Sequence, residues 1–370
     1  MIYLDSAATS LMKPAAVPAA VLLAMRTMAS PGRGGHRPAM LAAEKVFDCR
    51  CAAAELFNVP EPEQVVFTLN ATHGLNIAIR SIVHTGDRVV TSGYEHNSVT
   101  RVLHAIGAET DAVCTPLFDS GAALRGFAEK IPGAAAVVCT HVSNVFGFIL
   151  PIYEISELCD KFNVPLIVDA SQSAGCLDVD FSLLDAAFIA MPGHKGLMGP
   201  QGTGILLCAQ DAVPILYGGT GSDSRSQDMP GYLPDALEAG THNVAGIAGL
   251  LEGIRYVQAK RPEAIARHEH RLMRAAAEGM KGIKGLEVYE GKNQAGVLSV
   301  RHRGMDCESI CAALAERDIA VRGGLHCAPL AHLTAGTIDT GTVRFSFSPF
   351  SRDEHILRAC GAMKIIVNHN

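Results

Sequence analysis

Short runs of consecutive apolar residues alternate with longer amphipathic segments over residues 64–208. The runs are typical of strands buried on both faces, and the longer segments carry the apolar spacing of helices. The predicted strands are 64–68, 87–92, 135–141, 165–170, 186–190 and 202–208. The predicted helices are 72–82, 98–106 and 152–162. The alternation predicts an α/β fold with a mostly parallel central sheet, in which an antiparallel direction stays open for the last strand.

Helical patterns also flank this region. They predict helices at 14–30, 39–57, 243–260 and 262–282, and a Gly- and Pro-rich loop at 30–38. Further on, strands are predicted near 296–301, 319–322 and 342–347, and helices near 306–317 and 352–367. We therefore expect two domains. Residues 14–245 form the large one, and residues 1–13 with 246–370 form a small α+β domain.

Composition narrows the class of protein. A chain of 370 residues with 48% apolar and 18% charged residues can fill a sizeable core, which excludes a disordered protein. A net charge of −6 without a long basic run argues against nucleic-acid binding. No apolar stretch approaches the roughly 20 residues that span a bilayer. The start lacks a basic region followed by an apolar one, so we expect a cytoplasmic protein.

The eleven cysteines are scattered along the chain. A disulfide framework is unusual in a chain of this length without an export signal. The close pairs, Cys49 with Cys51 and Cys307 with Cys311, have no second pair at zinc-like spacing, so no metal site is predicted. Most of these cysteines are expected to be small buried apolar residues.

Two polar side chains follow successive buried strands. Lys195 lies in a Gly-rich turn after 186–190, where a lysine can form a Schiff base with a carbonyl cofactor, although a solvated lysine is an alternative. Asp169 ends the strand 165–170 and could pair with a protonated pyridine nitrogen or cap the next helix. Because ligands bind beyond the carboxyl ends of such strands, the two together favour an enzyme that uses pyridoxal phosphate (PLP).

Three further segments stand at predicted strand ends, each with a plainer alternative. Thr72 could help cradle a phosphate at a helix N-terminus or be an ordinary N-cap. His96 could stack on a flat ring or lie on the surface. Asn144 could hydrogen-bond the cofactor or a substrate carboxylate, or shape a turn.

One cysteine has a reactive context. Cys327 lies on a loop with two glycines before it and a proline after it, and His326 and Arg322 are close in sequence. Positive neighbours favour a thiolate, and a mobile loop lets a thiolate reach a substrate. A structural cysteine is the alternative.

With these residues the chain resembles the class V aminotransferase family, in its cysteine desulfurase and selenocysteine lyase branch. The similarity runs from YLDSAAT at 3–9 to the strand of Arg344. The motifs in family order are ATHG, EHN, SNVFG, VDASQ, PGHKG, EAGTHN and RGGLHCAP. The last is similar to the group with a short, ordered cysteine loop. The resemblance implies the PLP-dependent aspartate aminotransferase-like (type I) fold, and a homodimer with active sites at its interface.

The resemblance also implies roles for residues. Those assigned to the cofactor are Ala71, Thr72, His96, Asn144, Asp169, Gln172, His194, Lys195 and Thr241. Among them, His96 stacks on the ring, Gln172 bonds the ring oxygen, and Thr241 reaches the phosphate of the other subunit. Arg344 binds the substrate carboxylate, with Arg322 and Asn144 nearby. The catalytic residues are Lys195, Cys327 and His96, and Cys327 accepts the sulfur.

Pro192 departs from the family pattern, since many relatives have serine there. Proline offers neither a hydroxyl nor an N–H, so the phosphate is expected to depend more on Thr72, His194 and Thr241.

The implied reaction converts L-cysteine to L-alanine, with a persulfide on Cys327 that passes to an acceptor, for which a protein is one candidate. Selenocysteine lyase, which releases selenide and alanine, is the nearest alternative. A class V aminotransferase or a C–S lyase releasing pyruvate is a further one, and a non-catalytic scaffold is disfavoured by the intact set of residues.

Overall fold

The computed structural model describes residues 1–32 and 34–368. The helices in chain order are α1 (Ala16–Thr27), α2 (Arg37–Phe57), α3 (Ala71–Ile82), α4 (Asn97–Ile106), α5 (Ser120–Lys130), α6 (Ile152–Lys161), α7 (Phe181–Leu184), α8 (Val244–Lys260), α9 (Pro262–Met280), α10 (Cys307–Ala315), α11 (Pro329–Thr334) and α12 (Asp353–Asn368). The strands are β1 (Ile2–Tyr3), β2 (Val65–Thr68), β3 (Arg88–Ser92), β4 (Glu109–Val113), β5 (Ala136–Thr140), β6 (Leu166–Asp169), β7 (Phe188–Pro192), β8 (Gly204–Cys208), β9 (Leu286–Tyr289), β10 (Val297–His302), β11 (Ile319–Ala320), β12 (Arg322–Gly324) and β13 (Thr342–Ser346).

The central sheet has seven strands in the order β2-β8-β7-β6-β5-β3-β4. Strands β3 to β7 pair in parallel, whereas β8 runs antiparallel to both of its neighbours. The turn between β7 and β8 is too short for a crossover helix, which explains the reversal. The predicted α/β class with a mostly parallel sheet is confirmed, and the last predicted strand takes the antiparallel direction.

Both faces of this sheet are buried, as the unbroken apolar runs predict. In β5, Val137 and Cys139 pack into one core layer while Ala136 and Val138 pack into the other. Side chains of a strand alternate between faces, so a strand covered by helices on both sides needs apolar residues at every position.

Strand β4 and the helix that follows it, α5, were not predicted from the sequence. Strand β4 lies at the edge of the sheet, and its first residues, Glu109 and Thr110, are exposed. It therefore lacks the apolar run that reveals the central strands.

A second, antiparallel sheet has the order β12-β13-β10-β9, and its core includes side chains of α9, α10 and α12. The short strand β1 pairs in parallel with β11, which ties the start of the chain to this part. The predicted domain boundary at residue 245 stays a prediction; Ile247 and Leu250 of α8 pack into the core of the large sheet. Within residues 1–32 and 34–368, no helix is long and apolar enough to cross a membrane.

Candidate functional site

A cavity of about 220 Å³ lies beyond the carboxyl ends of the parallel strands. Parallel strands bring the residues that follow them to one edge of the sheet, where ligands bind in this architecture. The residues predicted for the cofactor that line the cavity are Ala71, Thr72, His96, Asn144, Asp169, Gln172, His194 and Lys195. The structure thus brings together side chains that are far apart in the sequence.

Lys195 is a half-buried amine in this cavity. Burial lowers the pKa of Lys195 to about 8 from its ordinary 10.5, and the charge of Asp169 opposes that shift. The neutral amine, which is the nucleophilic form, is therefore accessible near neutral pH. The alternative of a solvated surface lysine does not fit this position.

The turn that carries Lys195 is fixed by the N-terminal segment. The carbonyl of His194 accepts hydrogen bonds from the backbone N–H and the hydroxyl of Ser10, both at 2.9 Å. Lys13 donates to the carbonyl of Gly199 at 2.7 Å. A Cβ at Gly193 would overlap the Thr203 hydroxyl, so only glycine fits at this point of the turn. These contacts hold the backbone on both sides of Lys195.

Asp169 is 2% exposed and lines the same cavity. Its Oδ1 accepts from the Ser171 N–H at 2.9 Å, so it caps a turn rather than a helix. The alternative that Asp169 caps the next helix is therefore wrong, and a bond to the turn leaves the residue at the border of the cavity.

His96 is the N-cap of α4 and lines the cavity. Its Nδ1 accepts from the Ser98 N–H at 3.0 Å. That bond requires Nδ1 to be unprotonated and leaves the ring proton on Nε2. Burial lowers the pKa of His96, and the charge of Asp169 opposes this, so the ring is neutral at neutral pH.

Glu95, which is part of the EHN motif, has a role that sequence reasoning missed. It is fully buried, and its Oε1 accepts from the Ser92 hydroxyl and from the Thr140 N–H, the latter at 2.8 Å. Burial raises the pKa of Glu95 to about 8. A neutral Glu95 therefore joins β3 to β5 beside His96. In the sequence, only its position next to His96 in the EHN motif could have indicated this role.

One end of the cavity suits an anion. Helix α3 begins at Ala71, and its N-cap is Asn70, whose side chain accepts from the His73 N–H at 2.9 Å. The first N–H groups of a helix have no intrahelical acceptor, and the first two residues of α3, Ala71 and Thr72, line the cavity. The alternative that Thr72 is the N-cap is wrong, because Asn70 takes that position.

His194 and Pro192 border the same region. His194 hydrogen-bonds through Nδ1 to the Thr9 hydroxyl at 3.1 Å. Burial, with the charges of Lys195 and Lys13, lowers the pKa of His194 to about 4, so its ring is neutral. The imidazole can therefore offer a hydrogen bond to an anion but no full charge.

Thr241 lies apart from this cavity. It lines a separate pocket with Phe67 and His73. The loop before it is anchored by Glu238, which pairs with Arg50 at 2.8 Å and hydrogen-bonds His242. Sequence reasoning gave Glu238 no role, although it opens the EAGTHN motif.

The loop with Cys327 is short and pinned to the cavity. Only residues 325–328 separate β12 from α11. Asn144 donates through Nδ2 to the His326 carbonyl at 2.8 Å, and the Asn97 N–H donates to the Cys327 carbonyl at 2.7 Å. His326 and Cys327 have φ of 50° and 56°, a left-handed conformation that is uncommon for side chains other than glycine. Among the cysteines of the described ranges, Cys327 and Cys114 are exposed.

The two predicted substrate arginines do not line the cavity but converge on an acidic residue. Arg344 donates to the Asp5 carboxylate at 2.9 Å and to the Asn144 carbonyl at 3.0 Å. Arg322 contacts the same carboxylate at 2.9 Å. Asp5 was not singled out from the sequence.

Within residues 1–32 and 34–368, no group of three or more His, Cys, Asp or Glu residues is arranged to hold a metal ion.

Comparison with known proteins agrees with this geometry. Residues 2–358 match the family described as aminotransferase class-V. The chain belongs to this family. A probable cysteine desulfurase of Pyrococcus abyssi is 32% identical over 99% of this chain and 94% of its own length. Another, of Methanothermobacter thermautotrophicus, is 31% identical over 96% of this chain and 92% of its own length.

Solved structures of cysteine desulfurases share the fold. The apo structure of a cysteine desulfurase from Thermococcus onnurineus has a TM-score of 0.90 at 31% identity, covering 100% of this chain and 95% of the other. A cysteine desulfurase of Escherichia coli, in an S-sulfonic acid form, has a TM-score of 0.87 at 26% identity, covering 99% and 94%. The predicted family and the type I fold are confirmed.

Proposed function

We propose that this protein is a PLP-dependent cysteine desulfurase, which converts L-cysteine to L-alanine and leaves the sulfur as a persulfide on Cys327. The observation that carries the proposal is that Lys195 and Asp169 line one cavity. Asn144 lines the same cavity and donates a hydrogen bond to the loop that carries Cys327. The two relatives described above are named as probable cysteine desulfurases. The persulfide then passes to an acceptor, which in this proposal is a thiol of another protein.

The cavity fits PLP in the chemistry of its donors. Lys195 supplies an amine for the covalent link, and Asp169 a carboxylate for the pyridine nitrogen. His96 offers a flat neutral ring, and the N–H groups of Ala71 and Thr72 suit the phosphate. When bound, PLP supplies an electron sink for the negative charge that develops on the substrate.

The side chains divide the remaining work. Lys195 removes a proton at the substrate α-carbon and later returns a proton to the product, as general base and acid. The Cys327 thiolate attacks the substrate sulfur, so that an S–S bond forms while the C–S bond breaks. The electron pair of the C–S bond stays with the carbon fragment, which takes up a proton and becomes the methyl group of alanine.

The proposal includes a homodimer. Large apolar side chains on α1 and α2 are exposed in the single chain, among them Leu23 at 57%, Met25 at 71% and Phe47 at 55%. Exposed apolar side chains gathered on neighbouring helices are typical of an association surface. In the dimer, Thr241 would reach the phosphate site of the partner subunit, which fits its position in a separate pocket of its own chain.

Product analysis tests the function. With L-cysteine and a reducing thiol, we expect equal amounts of L-alanine and sulfide and no pyruvate, because the carbon fragment is protonated rather than hydrolysed. Amino-acid analysis and a sulfide assay give the two yields. Pyruvate in place of alanine would identify a C–S lyase, and turnover of selenocysteine without turnover of cysteine would identify a selenocysteine lyase.

The pKa of Lys195 predicts the pH dependence of cofactor loading. With a pKa lowered to about 8, the fraction of Lys195 that carries a neutral amine rises with pH through about 8. Nearly all of it is neutral above pH 9. The rate at which apo protein forms the lysine-linked cofactor should therefore rise about tenfold per pH unit below pH 8 and then level off. Absorbance after mixing apo protein with PLP measures this rate.

Asp169→Asn provides the matched comparison for this prediction. The charge of Asp169 raises the pKa of Lys195, so its removal should move the midpoint of the loading profile to lower pH. A midpoint near 10.5 in both proteins would contradict the role of burial, and a midpoint unchanged by the substitution would contradict the role of Asp169.

A further inference from the structure

Asp5 lies between the two arginines predicted to serve the substrate. Arg322 and Arg344 are directly opposite each other on β12 and β13, so both guanidinium groups project from the same face of the sheet. Two positive charges in that position repel each other. Asp5 bonds Arg344 at 2.9 Å and Arg322 through Nε at 3.0 Å and Nη2 at 2.9 Å. Its carboxylate therefore joins the pair.

The environment of Arg344 makes this contact important. Its side chain is 3% exposed, and burial lowers the pKa of Arg344 while the charge of Asp5 opposes the shift. A buried guanidinium needs a nearby anion to stay charged and oriented. Arg322 is different, because its side chain is 51% exposed and water can solvate it.

Asp5 is itself held in register with Arg344. It forms a bridge with Ser346 of β13, and the Ser346 N–H donates to the Leu4 carbonyl at 2.8 Å. The carboxylate is therefore placed by the same strand that places Arg344. The opposite side of the guanidinium is fixed by the Asn144 carbonyl at 3.0 Å.

The cluster keeps a surplus positive charge. Two guanidinium groups and one carboxylate sum to +1, so the single carboxylate of an amino-acid substrate would make the cluster neutral. The Nε atom of Arg344 is buried and has no hydrogen-bond partner in the described ranges. The Nε–H of Arg344 is thus among the donors left for a further anion.

We propose that Asp5 is a positioning residue for the substrate carboxylate: it holds Arg344 against Asn144 before substrate binds, so that the guanidinium is charged and oriented when the carboxylate arrives. This inference rests on the proposed function, because it needs an α-amino acid as substrate. Asp5 acts through Arg344 and does not touch the reacting atoms.

Two small amines isolate the contribution of the carboxylate. L-Alanine and ethylamine differ by the carboxylate alone, and neither carries sulfur to react. Titration of the PLP-loaded protein with each, followed by the absorbance of the lysine-linked cofactor, gives two dissociation constants. In the wild type, alanine should bind more tightly. In Asp5→Asn, we expect the preference for alanine to fall about tenfold, while the ethylamine constant changes less than about threefold.

A structural role for Asp5 predicts a different result, namely that both ligands weaken together and the preference is unchanged, which would overturn the inference. A stronger preference for alanine in Asp5→Asn would also overturn it, since Asp5 would then compete with the substrate carboxylate. If the wild type itself showed no preference for alanine, the proposed amino-acid substrate would be wrong.

Two further variants keep the test interpretable. Asp5→Glu retains the charge but moves it by one methylene, so we expect its preference for alanine over ethylamine to be smaller than that of wild type. It should exceed that of Asp5→Asn, and the comparison with wild type still tests the inference if the asparagine variant folds poorly. Asp353→Asn removes a carboxylate that pairs with Arg271 on the exposed surface, and it should leave the preference at the wild-type value. An Asp5→Glu value equal to that of wild type would show that the position of the charge is unimportant and would overturn the inference.

Discussion

Lys195→Ala is expected to lose the visible absorbance of the lysine-linked cofactor and to reduce turnover of L-cysteine by about four orders of magnitude or more. The substitution removes both the covalent link and the group that moves the substrate proton. Among the described residues that line the cavity, Lys195 is the only lysine, and burial brings its pKa to about 8, so no other amine there can take over its role. Absorbance spectra and alanine yields of wild type and variant measure the two losses.

Lys13 provides a demanding control. Burial also lowers the pKa of Lys13 to about 8, so the ease of deprotonation does not separate the two lysines. Position separates them, because Lys195 lines the cavity while Lys13 donates to Ser10 and to the Gly199 carbonyl. Lys13→Met should keep the absorbance band although it loosens the turn. Reduction with borohydride followed by peptide mapping should place the cofactor on Lys195, and a cofactor mapped to Lys13 would refute the assignment.

The cavity was predictable to the extent that it depends on strand ends. Asp169, Asn144 and His96 each follow an apolar run, and parallel strands place the residues after them at one edge. Local sequence contains that information, because a run of buried residues and its end can be seen without knowing the partner strands. Chemistry-bearing residues at several such ends then point to one site.

Residues that act through distant contacts were not predictable in this way. Asp5 pairs with Arg344 across 339 positions of sequence, and Glu238 pairs with Arg50 across 188. A lone Asp near the start of a chain is indistinguishable from a surface carboxylate until the fold brings the arginines to it. The same holds for the edge strand β4, whose exposed residues lack an apolar run. The predictable part is thus the part that local burial encodes.

Cys327→Ala is expected to reduce the desulfuration of L-cysteine by about two orders of magnitude or more, because the attack on the substrate sulfur loses its nucleophile. The Lys195 cavity does not depend on this thiol, so the variant should still bind L-alanine with the wild-type constant. Selenocysteine should be affected less, since selenide leaves more readily than sulfide. Sulfide and selenide release from the two substrates, measured side by side, give the comparison.

Cys114→Ala is the matched control, since Cys114 and Cys327 are the exposed cysteines of the described ranges. Cys114 lies outside the pinned loop, whereas Cys327 is held by the Asn97 N–H and is next to His326, whose carbonyl Asn144 binds. After incubation with L-cysteine, mass spectrometry of wild type and of Cys114→Ala should find the extra sulfur on the Cys327 peptide. A persulfide on Cys114 instead, or full-rate desulfuration by Cys327→Ala, would show that the pinned loop does not carry the sulfur and that its left-handed backbone serves the fold alone.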